Sequence, residues 1–159
     1  MRNFAKVAPA LWHRKDFRVL GDCARLLYIY AISSPHSNSC GCYELPMEYA
    51  LADLKWSAAR YQAAFEKLTA ARFIEFDNST SEIRIVDWLA INSPSNEKHK
   101  IGMARAIGEI KSEKFRQACA QALNEAWAGT IGSIAARNGM SRPTAQRTMP
   151  LAINGGRAR

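Results

Sequence analysis

GCYELPMEYALADLKWSAARYQAAFEKLTAARFIEFDNSTSEIRIV, residues 41 to 86, decides how this chain folds. CYEL, from Cys42 to Leu45, alternates apolar and polar residues and predicts a short strand. Pro46 suits the first position of a helix, where its missing N–H costs nothing. Met47, Ala50, Leu51 and Leu54 then recur at helical spacing. Lys55 and Trp56 break that period, and Ser57 is a good N-cap for a second helix whose apolar face is Tyr61, Ala64, Phe65 and Leu68. FIEF alternates at period two, DNSTS is a polar turn cluster, and EIRIV resumes the alternation, so Phe73 to Val86 reads as a β-hairpin. Two short helices across a tight turn, followed by a two-stranded wing, predict a winged helix.

In such a module the second helix enters the DNA major groove and the hairpin lies along the backbone or minor groove. The outward candidates are Ser57, Arg60, Gln62, Lys67 and Arg72, with Arg84 on the hairpin. Arginine and glutamine reach base edges bidentately, while lysine mostly finds phosphate. The competing reading is a protein-interaction module, since fold does not fix function. Glu66, Glu75, Asp77 and Glu82 dilute the positive charge locally.

Working outward, the 159 residues are 48% apolar, enough for one sizeable core or one core plus a small appendage. There is no apolar run long enough to span a membrane, and MRNFAKVAPALWHRKDF lacks the continuous apolar stretch of a signal peptide, so a cytoplasmic protein is expected. The four cysteines fit that compartment as reduced, mostly buried thiols, with Cys23 and Cys119 on helical apolar faces.

Net charge is +8, which favours a polyanionic partner. The distribution is uneven: residues 1 to 92 carry 11 Lys+Arg against 10 Asp+Glu, whereas residues 93 to 159 carry 11 against 4. After Glu125 no acid follows, while Arg137, Arg142, Arg147, Arg157 and Arg159 do. Attraction to nucleic acid is therefore concentrated in the C-terminal part; a solvated basic tail is the plainer alternative.

Upstream, Phe4, Val7, Leu11, Trp12, Phe17 and Leu20 lack clean periodicity and suggest an irregular lead-in covering the core. Asp22 is placed to cap a helix over CARLLYIYAI, apolar on nearly all sides and so expected to be central. SSPHSNSCG stops it. His36, Cys40 and Cys42 lie close together there, but His-x3-Cys-x-Cys is not a usual structural zinc pattern and no second pair completes it, so no metal is assigned. His13, His36 and His99 have no motif linking them to a nucleophile, and there is no Gly-rich phosphate loop or paired-carboxylate signature. The expectation is a non-enzyme without a cofactor.

Several marks then line up: SPHSN (Ser34 to Asn38), the Gly41 strand ending in Leu45-Pro46, the Leu54-Lys55-Trp56-Ser57 turn, and Trp88-Leu89 leading into Asn92-x-Pro94. In this order, over roughly residues 5 to 98, they resemble the N-terminal winged-helix region of phage and prophage replication proteins of the replisome-organiser or helicase-loader type. The resemblance implies binding at a phage origin and recruitment of the host replicative helicase, in the host bacterial cell. Arg72 departs from the pattern, because such domains usually place glycine at the end of the second helix; a different turn into the wing is expected. The family's longer members carry further helicase-interaction sequence.

Beyond Asp87 to Asn92, expected as a short helix packing Trp88 and Leu89 on the core, residues 93–97 read as a linker. Ser95 or Asn96 caps a helix over EKHKIGMARAIGEIK, with Lys98 and Lys100 as phosphate-contact candidates. Ser112 caps SEKFRQACAQALNEAWAG, with Phe115, Cys119, Ala122, Leu123 and Trp127 on one side and Gly129 as the stop. A stripe of this kind is core or a dimer contact, so residues 98–129 read as a helical extension with a homodimer among its partners. Within residues 130–159, TIGSIAARNGMSRPTAQRTM resembles the helix-turn-helix of bacterial repressors: Ala135, Gly139 and Ala145 fall at its small, turn and apolar positions. There Ser141 would cap a recognition helix and Arg142, Thr144, Gln146 and Arg147 would face outward; Pro150 ends it and LAINGGRAR is flexible in composition.

The resulting expectation is a mainly α protein with a small β-hairpin: a winged-helix domain over residues 1–92, the linker, the helical extension, and a basic helix-turn-helix-like segment. It would bind DNA in phage replication initiation, with no membrane association. The alternatives are a small phage protein that binds and inhibits a host replication or defence protein, and a phage transcriptional regulator.

Overall fold

A computed structural model describes residues 5 to 137. The described chain is mainly helical with one three-stranded antiparallel sheet. A 3-10 turn over Pro9–His13 and a short α1 (Lys15–Arg18) precede α2 (Asp22–Ser33), β1 (Cys42–Glu44), α3 (Met47–Leu54) and α4 (Ala58–Ala70). The hairpin strands β2 (Ile74–Asp77) and β3 (Glu82–Ile85) follow, then α5 (Trp88–Ile91), α6 (Glu97–Gly108) and α7 (Glu113–Arg137).

Local chemistry sets the boundaries of the α3–α4 pair. Pro46 is the residue before α3 rather than its first, one position earlier than expected, and its φ of −55° suits the entry. Lys55 ends α3 in the left-handed conformation (φ +55°), with Trp56 N donating to Leu51 O at 3.2 Å. Ser57 Oγ then accepts from Arg60 N at 3.3 Å and caps α4. At the far end Arg72 is also left-handed (φ +56°), with Phe73 N donating to Leu68 O at 2.9 Å. The different turn expected from the missing glycine does not occur: arginine takes the glycine conformation at a cost of about 1 kcal/mol.

The predicted hairpin is part of a larger sheet, because β1 joins it in the order β1-β3-β2. Register pairs Tyr43 with Ile83, Ile83 with Phe76 and Ile85 with Ile74, which places these apolar side chains on one face. That face meets α2 and α4, where Phe17, Tyr28 and Phe73 form a ring cluster with centroids 5.0 to 5.9 Å apart. The opposite face carries Cys42, Glu44, Arg84, Glu82, Glu75 and Asp77.

That second face is covered by α7. Phe115, Cys119 and Leu123 of α7, with Met103 and Ile107 of α6, belong to the same buried cluster as Leu27 and Leu68. The segment read as an extension thus spends its apolar stripe on the chain's own core. Buried Trp88 is seated by Nε1–H donation to Ser39 O at 2.9 Å and by Gly41 (φ +70°), where a Cβ would fall 2.2 Å from Trp88 Cγ. Gly129 does not stop the last helix; α7 continues through Gly132 to Arg137, since each exposed glycine costs a helix only about 1 kcal/mol. Of the lead-in aromatics, Phe17 is fully buried while Trp12 is exposed.

Candidate nucleic-acid interface

Helix α4 turns Tyr61, Ala64 and Leu68 inward and leaves Ala59, Arg60, Gln62, Ala63, Glu66, Lys67 and Ala70 exposed. The alanines keep this face low, so a groove could approach the helix closely. Arg60 is held at its edge: its guanidinium lies 4.4 Å above the Trp56 ring and Nε donates to Cys23 Sγ at 3.2 Å. Gln62 donates to Glu66 at 3.0 Å, one turn on. Lys67 projects beside Gly21, and Arg72 is exposed at the exit of the helix. Among the described residues, none of Lys55, Arg60, Lys67 and Arg72 is in an ion pair.

The hairpin is built differently. Arg84 was expected to point outward; instead its side chain, 18% exposed, pairs with Glu75 at 2.9 Å beneath α7. The physical reason is the sheet's period of two: Arg84 does leave the α2–α4 core, but the face it enters is roofed by the last helix. Beside it, Glu44, Glu82 and Asp77 stand directly opposite one another across the three strands. Like charges in that arrangement repel, and the α6–α7 junction compensates them. Glu82 accepts from Lys111 N (2.9 Å) and Ser112 N (2.7 Å), Ser112 Oγ donates to Asp77 (2.6 Å), and Lys111 Nζ pairs with Glu44 (2.7 Å). The hydrogen bond from Ser112, with others from Ser79, lowers the Asp77 carboxyl to about 2.

Of the remaining candidates, Ser57 is occupied in capping, Lys98 is exposed on the first turn of α6, and Lys100 Nζ sits 5.5 Å over the Trp127 ring. Arg137 is the last residue of α7, and Arg142, Thr144, Gln146 and Arg147 lie outside the described residues. The structure therefore gathers Ser57, Arg60, Gln62 and Lys67 on one helix and separates Arg84 from them. The acidic rung was missed in the sequence: Glu44, Asp77 and Glu82 converge only once strand register is known.

Among the described residues no group of His, Cys, Asp and Glu could hold a metal ion, and His36 stacks on Tyr49 at 4.4 Å. No described helix is long and apolar enough to cross a membrane. No family model matches the sequence, and neither the curated proteins nor the solved structures give a match.

Proposed function

We propose that this protein is a winged-helix DNA-binding protein of phage replication initiation, reading the duplex with α4. Its single strongest support is the outer face of α4: solvent-exposed, low in profile, and carrying Arg60, Gln62 and Lys67 with no carboxylate paired to either cation among the described residues. The element order α2-β1-α3-α4-β2-β3, with the sheet order β1-β3-β2, supports the winged-helix reading. Phage origin binding and helicase recruitment rest on the sequence resemblance. In this reading Arg60 and Gln62 contribute base contacts, Lys67, Arg72 and Lys98 meet phosphate, and Arg137, Arg142 and Arg147, with Thr144 and Gln146, add affinity from the basic end.

The test is a salt titration of binding to duplex DNA. Affinity should fall by roughly one log unit per log of salt for each phosphate contacted, and a flat titration removes the proposal. Replacing Arg137, Arg142 and Arg147 together should collapse DNA binding. A second reading, capture of a host protein, is favoured by the acidic, tied-down hairpin, which offers a nucleic acid no free cation from the described wing. In that case the triple variant would still retain its protein partner.

A further inference from the structure

The lead-in does more than cover the core. Between Lys6 and Arg14 it closes over α2, the end of β3 and α5, and a cavity of about 140 Å³ is left beneath it. Leu11, Ile32, Ile85 and Trp88 form the apolar wall, and all four are buried. A dry apolar cavity of about 150 Å³ is large enough to take up benzene. The space therefore fits one six-membered ring with little to spare.

The polar part of the lining is one-sided in charge. Lys6 and Arg14 contribute to it with Tyr28 and Asn92, and no carboxylate does among the described residues. Lys6 is exposed and in no ion pair among the described residues, which puts a free cation at the mouth. Arg14 gives Nε and Nη2 to Asp16 at 3.1 and 2.6 Å, which leaves Nη1 over. Tyr28 is 2% exposed, with its ring packed on Phe17 and Phe73, and its hydroxyl has no hydrogen bond to any described residue. A buried hydroxyl in that position carries a desolvation cost that an acceptor atom in the cavity would remove. Burial, helped by Asp87 and Asp16, pushes this hydroxyl above its usual 10 against the pull of the Arg14 charge, so at neutral pH it keeps its proton and can donate.

We propose that this cavity binds a single-ring aromatic carboxylate, its ring between Leu11, Ile32 and Trp88 and its carboxylate toward Tyr28, Arg14 and Lys6. Size sets the ring, and the unpaired donors set the acid. The ligand would touch the lead-in, α2, β3 and α5 at once, so binding holds the lead-in down on the core and stabilises the folded chain. Neither the site nor its test depends on the DNA-binding reading.

The probe is benzoate, titrated into the full chain by isothermal calorimetry and followed in parallel by the midpoint of thermal unfolding. One benzoate should bind per chain, and the midpoint should rise with benzoate concentration. Acetate, with the charge but no ring, should give neither signal at the same concentration, and 1-naphthoate should be excluded by its second ring. Ile32→Phe, which fills the cavity from its wall, should abolish binding. Tyr28→Phe, which removes only the hydroxyl, should weaken benzoate by about fivefold or more. The absence of saturable binding up to about 10 mM benzoate would overturn the proposal. So would equal responses to benzoate and acetate or naphthoate, or full affinity in Ile32→Phe, each of which would move the anion to the basic surface. Should Ile32→Phe fail to fold, Tyr28→Phe still decides, because unchanged benzoate affinity there would equally overturn the assignment.

Discussion

Helix α4 and the β2–β3 hairpin are adjacent in sequence and both alternate charge with apolar residues, yet their polar faces have opposite fates. The outer face of α4 remains open, with Arg60 and Lys67 free of carboxylates among the described residues. The outer face of the hairpin is enclosed, its arginine spent on Glu75 and its acids bonded to the α6–α7 junction. The comparison teaches that a polar stripe marks only the side facing away from one core. Whether that side meets water or a second layer depends on elements much farther along the chain.

The largest effect should come from breaking the enclosed side. Glu82 is 4% exposed and satisfies two backbone N–H groups at the start of α7. Glu82→Ala would leave those donors unpaired and should destabilise the fold by about 2–4 kcal/mol in urea unfolding. Glu66→Ala on the open helix should stay within about 0.5 kcal/mol. Equal losses at the two positions would mean that both faces are buried to the same degree.

Binding should divide in the opposite sense. Arg60→Ala combined with Lys67→Ala should weaken duplex affinity by about tenfold or more at low salt, measured by fluorescence anisotropy, with little change in stability. Arg84→Ala should leave affinity within about twofold while lowering stability, because it strands Glu75 beneath α7. A large loss of DNA affinity from Arg84→Ala alone would place the hairpin back at the interface.

This division also explains what was legible in the sequence. The α3–α4 pair could be read because its signals are local: Pro46, the Lys55–Trp56 break, the Ser57 cap and the i, i+3, i+4 spacing of Tyr61, Ala64, Phe65 and Leu68. The strands were legible for the same reason. The third strand's partnership, the Glu44–Glu82–Asp77 rung and the burial of Arg84 depend on register and on contacts between residues 29 to 67 positions apart, for which a single sequence has no periodic signal. Gly129 misled because composition overstates how firmly one glycine ends a helix whose preceding turns are already anchored in a core. Ser112, by contrast, was correctly marked as a cap, but its second bond, to Asp77, could not be seen.

A smaller effect separates the faces by pH. Asp77, lowered from 3.8 to about 2 chiefly by the Ser112 hydrogen bond, contributes stability that is fully present above about pH 4 and is lost as pH falls through 2. Asp77→Asn should therefore flatten the acid limb of a stability profile between those values while leaving its slope near neutrality unchanged. An unaltered acid limb would show that the contact with Ser112 is absent in solution.

The smallest expected effect sharpens the comparison most, because it acts on stability and binding in opposite directions at one residue. Arg72 sits at the hinge between the open helix and the enclosed hairpin, exposed and left-handed at φ +56°. Arg72→Gly relieves a side-chain clash and should stabilise the fold by up to about 1 kcal/mol, offset in part by the greater freedom of glycine in the unfolded chain. If Arg72 belongs with α4 at the DNA, the same change should reduce affinity modestly and lower the salt slope by about one phosphate contact. A variant that is more stable and binds DNA with an unchanged salt slope would confine the interface to the helix and exclude its exit. Arginine's persistence in a conformation better suited to glycine then has no explanation in binding.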